Sequence, residues 1–224
     1  PEVPLGKVVT KPGPLLAATD DFVVRVRGRG GHAAYPHQTA DPIIATAHIL
    51  TAVQTIVSRN VGPNDPVVVT IGRIVGGTAN NIIPASVRFI GTVRTLKAET
   101  RKLAKERFFG VVENTCRALG CRAKIQWHDS YPVTMNDAAL TEEFFETARA
   151  TMDPAKVVRV ENATMGGEDF AYYGKLAPAC FFFLGLRPAG AETYATLHQP
   201  DFDFNDEALG LGIELMCGLA VREF

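Results

Sequence analysis

No stretch of this 224-residue sequence comes near the roughly 18 consecutive apolar residues a membrane-spanning helix requires. The longest apolar run, Ala179 to Leu186, is strand-sized, and the apolar C-terminal stretch is interrupted by Glu214. Cationic excess is missing too. The formal net charge of −1 gives no footprint for nucleic acid or an anionic membrane surface, so neither is expected as a partner. The four cysteines (Cys116, Cys121, Cys180, Cys217) show no Cys-x-x-Cys spacing and no small disulfide frame. They are expected to be reduced, mostly buried thiols of a soluble, cytoplasmic protein. Internal repeats and low-complexity segments are absent. So is an initiator Met: the chain begins at Pro1, and the expectation is a sequence that starts mid-protein.

What is present is a 46% hydrophobic composition, enough to fill a core. Residues 1–17 carry Pro1, Pro4, Pro12 and Pro14, which favours strand and loop over helix. Phe22, Val24 and Val26 alternate with Val23, Arg25 and Arg27, the pattern of a strand that ends in the glycines Gly28 to Gly31. Asp41-Pro42 reads as an N-cap followed by a first helical position, with Ile43, Ala47, Leu50 and Val57 behind it at helical spacing. Strands from Val67 to Val75 and Ser86 to Leu96 flank a glycine turn at Gly76-Gly77. A helix from about Glu99 to Leu119 is closed by Gly120, and a strand over Ala123 to Trp127 follows. The order β-α-β-β-α-β predicts a ferredoxin-like α+β sandwich across residues 19–131.

From Tyr131 the pattern changes. A helix over Ala138 to Met152, a strand near Val157, a buried strand over Phe181 to Leu184 and a final helix from Asn205-Asp206 predict part of an α/β domain. On that last helix Leu209, Ile213, Met216 and Ala220 share a face. The expected organisation is therefore 1–18 and 132–224 as pieces of an α/β domain, with 19–131 inserted.

Four segments carry residues able to do chemistry. The first, Gly28 to His37, places His32 on an exposed rim among glycines that allow close backbone approach. A solvated surface histidine explains it equally. The glycines do not fit a Gly-x-Gly-x-x-Gly phosphate loop. The second, Thr78 to Pro84 followed by Arg94, offers an amide that could donate to an oxyanion and a guanidinium that grips a carboxylate. Its ordinary alternative is a turn asparagine beside a solvated strand arginine. The third, Met165 to Phe170, is placed at a helix N-terminus, where free amides bind anions; Glu168 and Asp169 could instead balance the dipole. The fourth, Leu197 to Pro200, holds His198 near Asp201, Asp203 and Asp206. One imidazole is a plausible metal ligand, but zinc needs three or four. His48 and His128 are read as structural or solvated.

Taken together, the strings GRGGHAAYPHQTADPI, GGTANNIIPASVRFIGTVRT, MGGEDFAYY and LHQPDFDFND resemble, in the same order, the metal-dependent amidohydrolases that include hippurate hydrolase, the plant auxin-conjugate hydrolases and N-acyl-amino-acid carboxypeptidases. The opening PEVPLGKV fits as well. The resemblance implies an α/β catalytic domain with an inserted ferredoxin-like lid that forms a homodimer. It implies two divalent ions, zinc or manganese, whose bridging water attacks the amide of a small N-acyl amino acid. It implies that His198 is a metal ligand and that His32 reaches the partner subunit's site to polarise the carbonyl. Asn81 and Arg94 would hold the substrate's carbonyl or carboxylate, and Gly166 and Gly167 would line the pocket floor. The family's other metal ligands and its general-base Glu have no counterpart in this sequence. The expectation is a fragment of a longer enzyme, inactive by itself. Two other classes stand beside it: a non-catalytic dimerisation module or degenerate relative, and a ferredoxin-like RNA-binding domain, which would need an aromatic strand motif and a positive charge balance that are not seen here.

Overall fold

The structure is a computed structural model that describes residues 2–221. In chain order its elements are β1 (Val8–Thr10), β2 (Gly13–Leu16), β3 (Ala18–Arg27), β4 (Gly31–His32), α1 (Pro42–Ala52), β5 (Val67–Gly76), β6 (Ile82–Ile83), β7 (Ser86–Thr95), α2 (Ala98–Ala118), β8 (Arg122–Asp129), β9 (Thr134–Asn136), α3 (Ala138–Thr151), β10 (Val157–Arg159), β11 (Phe183–Leu184) and α4 (Glu207–Ala220). They gather into two units. One comprises Leu16–Val133 with Met165–Asp169; the other comprises the residues up to Leu15, Thr134–Thr164 and those from Phe170 onward. The division falls at 15/16 and 133/134, where the expected boundaries are 18/19 and 131/132. The segment Met165–Asp169, expected within the C-terminal piece, groups with the first unit instead.

The first unit is built on an antiparallel four-stranded sheet in the order β5-β7-β3-β8. Alternation along β3 decides which side is core: Phe22, Val24 and Val26 are fully buried, while Arg25 and Arg27 are exposed. Phe89 and Val93 of β7 join the buried side, and so do Phe108 and Val112 of α2. Phe22 packs against Phe108 at 4.3 Å between ring centroids and stacks on Trp127 at 5.9 Å. Gly91 must lack a side chain here, since a Cβ would sit 2.1 Å from the Thr70 carbonyl and 2.4 Å from the Phe22 ring. Within the same core Asp20 accepts from Arg101 Nε at 2.9 Å and Nη2 at 2.6 Å, so its buried carboxylate is paired.

The helix ends follow their signals. Asp41 caps α1 by accepting from Ile43 N, with Pro42 at the first helical position. Gly120, at φ +69°, turns the chain out of α2. The face of α1 differs from the expected one. Ala45, Thr46 and Ile49 are buried, as are Val53 and Ile56 in the segment just after the helix, whereas Ile43 and Ala47, and Val57 beyond it, face outward. α1 is apolar around most of its circumference, so its periodicity does not select a side.

The second unit has a three-stranded sheet in the order β10-β1-β11, with β1 parallel to β10 and antiparallel to β11. Val8, Phe144, Phe145, Ala148, Val157 and Leu215 form its core. Two expectations are corrected here. The strand expected over Phe181 to Leu184 shortens to Phe183–Leu184, because Phe181 N–H and C=O are engaged by the Asn136 side chain rather than by a neighbouring strand. On α4, Ala208 and Leu215 are buried, while Leu209, Ile213 and Met216 are exposed. Leucine, isoleucine and methionine surround this helix, so the stripe picked from the sequence is one of two apolar sides.

Candidate active site

His32 is held in place by backbone pairing. β4 and β6 form a two-residue antiparallel ladder in which His32 stands opposite Ile82, and Ala33 N–H donates to the Asn81 carbonyl at 3.0 Å. The glycines before it make this possible. A Cβ on Gly28 would lie 2.0 Å from the Ala40 carbonyl, and one on Gly30 would lie 2.6 Å from that of Ile83. The partner these glycines approach is thus the chain's own backbone. His32 Nδ1 accepts from Ala34 N–H at 3.0 Å. With Nδ1 occupied as an acceptor, the neutral ring carries its proton on Nε2, which points away from that bond and is free to donate. Asn81 is exposed and closes the loop with its backbone carbonyl, so its side-chain amide is not spent on that bond. An imidazole N–H and a carboxamide N–H are both donors able to stabilise negative charge on a carbonyl oxygen.

Arg94 belongs to a different place. It pairs with Thr19 at the opposite end of β7 from Ser86, and its Nε donates to Thr92 Oγ1 at 3.0 Å. The segment Met165–Asp169 docks at this end: Ala17 N–H donates to the Gly166 carbonyl at 2.8 Å. A Cβ on Gly167 would lie 2.1 Å from Thr19 Cγ2 and 3.1 Å from Arg94 Nη1, so the glycine backbone lies directly against the guanidinium. Arg94 has no carboxylate partner among the described residues. It forms with Gly166, Gly167 and Thr19 a small site able to receive a carboxylate. The expected grouping of Asn81 with Arg94 is thereby split, and the docking contact of Thr19 was not legible from sequence. The Met165–Phe170 segment does not open an α-helix. A seven-residue 3-10 stretch, Asp169–Lys175, follows it, and the Asp169 amide is taken by Glu168 Oε1 at 3.0 Å.

His198 lies in the second unit, exposed, and is the single non-glycine residue with positive φ among the described residues, at +70°. A left-handed histidine is uncommon and held by its surroundings. Here Thr196 N–H donates to Gln199 Oε1 at 2.6 Å, Gln199 N–H returns to the Thr196 carbonyl, and Tyr194 OH reaches the Asp203 carbonyl at 2.6 Å. The loop also borders a mainly apolar cavity of about 460 Å³ lined by Val9, Val160, Phe183, Thr196 and Leu197. Among the described residues no group of three or more His, Cys, Asp or Glu could hold a metal ion. The loop supplies one imidazole, and a dinuclear pair does not fit the described residues alone.

The sequence matches peptidase family M20/M25/M40 over residues 2–222, and the chain belongs to that family. It is 39% identical over 217 residues to an N-acetyldiaminopimelate deacetylase of Shouchella clausii, covering 96% of this chain and 56% of that protein. It is 40% identical to an N-acetyl-L-cysteine deacetylase of Bacillus subtilis, covering 93% and 48%. A solved dinuclear metal-binding peptidase of family M20 from Bacillus subtilis superposes with a TM-score of 0.76 at 30% identity, over 99% of this chain and 54% of that one. The chain spans about half the length of the relatives it matches.

Proposed function

We propose that the whole protein hydrolyses the amide bond of N-acyl amino acids, hippurate-like or related conjugates, as a metal-dependent amidohydrolase. The observation that carries this reading is a division of labour within the first unit that a dimer would bring to one substrate. His32 and Asn81 at the β4–β6 ladder would polarise a carbonyl, and Arg94 with Gly167, at the far end of β7, would seat a carboxylate. An N-acyl amino acid has one group for each. The names of the two deacetylase relatives support the substrate class. Two divalent ions, zinc or manganese, belong to the proposal as what would activate the attacking water. Of the residues here, His198 would serve as a ligand; the hydrogen bonds of its loop, which hold its backbone at φ +70°, support this reading. His32 would donate Nε2–H to the oxygen that gains charge, Asn81 would add a second donor, and Arg94 would fix the substrate by its free carboxylate.

The β-α-β-β-α-β order of the first unit supports a ferredoxin-like lid that dimerises. Among the described residues β5 is an edge strand, paired on one side by β7, and Ile74 and Val75 on it are half exposed. Ile43 of α1, also exposed, reaches within 3.9 Å of where a Gly77 side chain would be, so these apolar groups are contiguous. Four free thiols support a cytoplasmic location. A second reading, a non-catalytic dimerisation module, is favoured by the missing ligand cluster. The deciding experiment uses the protein as expressed from its own gene, loaded with zinc or manganese, on N-acetyl and N-benzoyl amino acids and on the same compounds with the carboxylate amidated. Turnover of the free acids, lost on His32→Ala and on His198→Ala, is expected. Metal-free protein without turnover would establish the second reading.

A further inference from the structure

The near-neutral total charge conceals a strongly cationic surface. On the side of the four-stranded sheet away from α1 and α2, Arg25 of β3 stands directly opposite Arg88 of β7 and directly opposite Lys124 of β8. One row further on, Arg27 stands opposite Arg122. All five side chains are exposed, and none pairs with a carboxylate among the described residues. The nearest carboxylate on this face by register is Asp21, four residues from Arg25 and so about 14 Å along the strand. Directly opposite residues have Cβ atoms only about 5 Å apart, where like charges repel and destabilise the sheet. Nothing in the packing of the unit calls for this arrangement, because its core is made wholly on the other side.

The patch is concave. Val23, Arg25, Arg27, Arg88, Lys124 and Gln126 line a cavity of about 390 Å³. We infer that this saddle is a binding site for a compact polyanion with three or more charges, of the pyrophosphate or polyphosphate type. Four cations converge on a volume of small-ligand size, and arginine forks match phosphoryl oxygens in bidentate fashion. A monocarboxylate substrate would neutralise one of the four and has its own seat at Arg94. Nucleic acid is a poorer match, since the patch is two rows deep and offers no aromatic for base stacking. Trp127 of β8, the chain's single tryptophan, packs into the core on the other side. The site is independent of the proposed hydrolysis.

The test is titration calorimetry of the protein in 150 mM NaCl with tripolyphosphate, pyrophosphate, citrate and sulfate, together with thermal melts. Tripolyphosphate should bind saturably at one site per chain, more tightly than citrate and far more tightly than sulfate, and should raise the melting temperature. Arg88→Gln and Lys124→Gln should each weaken it about tenfold or more, as expected for loss of a charge-assisted contact. Without ligand the same two variants should melt at the same temperature or higher, because a repulsive pair is gone. Arg107→Gln, on the exposed side of α2, is the control and should change neither. Four results would overturn the inference: no saturable binding at this salt, equal binding of sulfate, affinity untouched by both substitutions, or tight binding of a single-stranded oligonucleotide alone.

Discussion

Arg94 lies at one end of β7 in the four-stranded sheet, and His32 lies on the separate β4–β6 ladder next to the other end of that strand. Along β7 eight residues separate Ser86, beside which the His32 loop returns, from Arg94, a span of about 27 Å at roughly 3.4 Å per residue. No small N-acyl amino acid bridges that length, so under the proposed function one reaction centre must draw these residues from two chains. This gives a complementation test. Dimers mixed from His32→Ala and Arg94→Ala subunits contain one site with both side chains intact and one with neither. Random mixing of two inactive proteins should restore about a quarter of the wild-type rate, since half of the twofold dimers are mixed and each has one good site. Unmixed variants should remain inactive. A mixture that stays dead would place both groups in the same site of one chain.

The Arg94 seat predicts a particular kinetic signature. Arg94→Ala should raise KM for free-acid substrates about 10- to 100-fold, the range for losing a hydrogen bond to a charged group, while leaving turnover of carboxyl-amidated analogues nearly unchanged. Gly167→Ala should act in the same direction, because the new methyl would meet Thr19 Cγ2 at 2.1 Å and crowd the guanidinium. Equal losses on both substrate types would mean that Arg94 supports the structure and does not read the carboxylate.

Much of this was legible in the residues. The strand alternation of Phe22, Val24 and Val26, the Asp41-Pro42 cap and the Gly120 stop are local signals, and each recurs in the structure at its place. What failed is what needs three dimensions. The apolar helices α1 and α4 have two hydrophobic sides, and a period of 3.6 cannot say which one a neighbour covers. Asn81 and Arg94, thirteen positions apart in sequence, looked like one cluster; an extended strand lies between them and carries them apart. The sheet's cationic face was invisible for the opposite reason. Arg25, Arg88 and Lys124 are distant in sequence, and the total charge averages them away.

Cys116 makes a pH prediction. The thiol is buried in the first unit, and burial, with a smaller push from Cys121, raises its pKa to about 11 from the ordinary 9.0. The folded state therefore holds a proton that the unfolded chain releases above pH 9. Stability from this group is fully present below pH 9 and declines as pH rises from 9 to 11, by roughly 2–3 kcal/mol for a two-unit offset. Urea midpoints over that range should fall more steeply for wild type than for Cys116→Ala. The same burial should make Cys116 inert to iodoacetamide at pH 8 in the native state, with exposed Cys217 reacting first. Parallel slopes for the two proteins would remove Cys116 from the explanation.

Asn136 is the polar residue on which the second unit depends most. It is buried, and the two N–H groups of its side-chain amide are shared among Thr10 Oγ1, the Lys11 carbonyl and the Phe181 carbonyl, each 2.9 Å from Nδ2. Its Oδ1 accepts from Phe181 N–H at 2.7 Å. One side chain thus joins the end of β1, β9 and the segment entering β11. Asn136→Ala takes the partner from the Phe181 N–H and from the Lys11 carbonyl, while the Phe181 carbonyl keeps the Thr10 hydroxyl at 2.5 Å, and should cost about 3 kcal/mol in urea unfolding. Asn136→Leu should cost no less, which separates lost hydrogen bonds from lost volume. Asn136→Asp adds a test with a sign. A carboxylate buried among carbonyl oxygens disfavours ionisation, so its pKa in the folded state lies above the unfolded value of about 3.9. The deficit of this variant relative to wild type should therefore be smallest at acid pH, where the protonated acid can still donate once. It should grow as pH rises through the folded pKa. A deficit independent of pH between 4 and 8 would show that position 136 is hydrated, and that the network of Thr10, Lys11 and Phe181 is held by water instead.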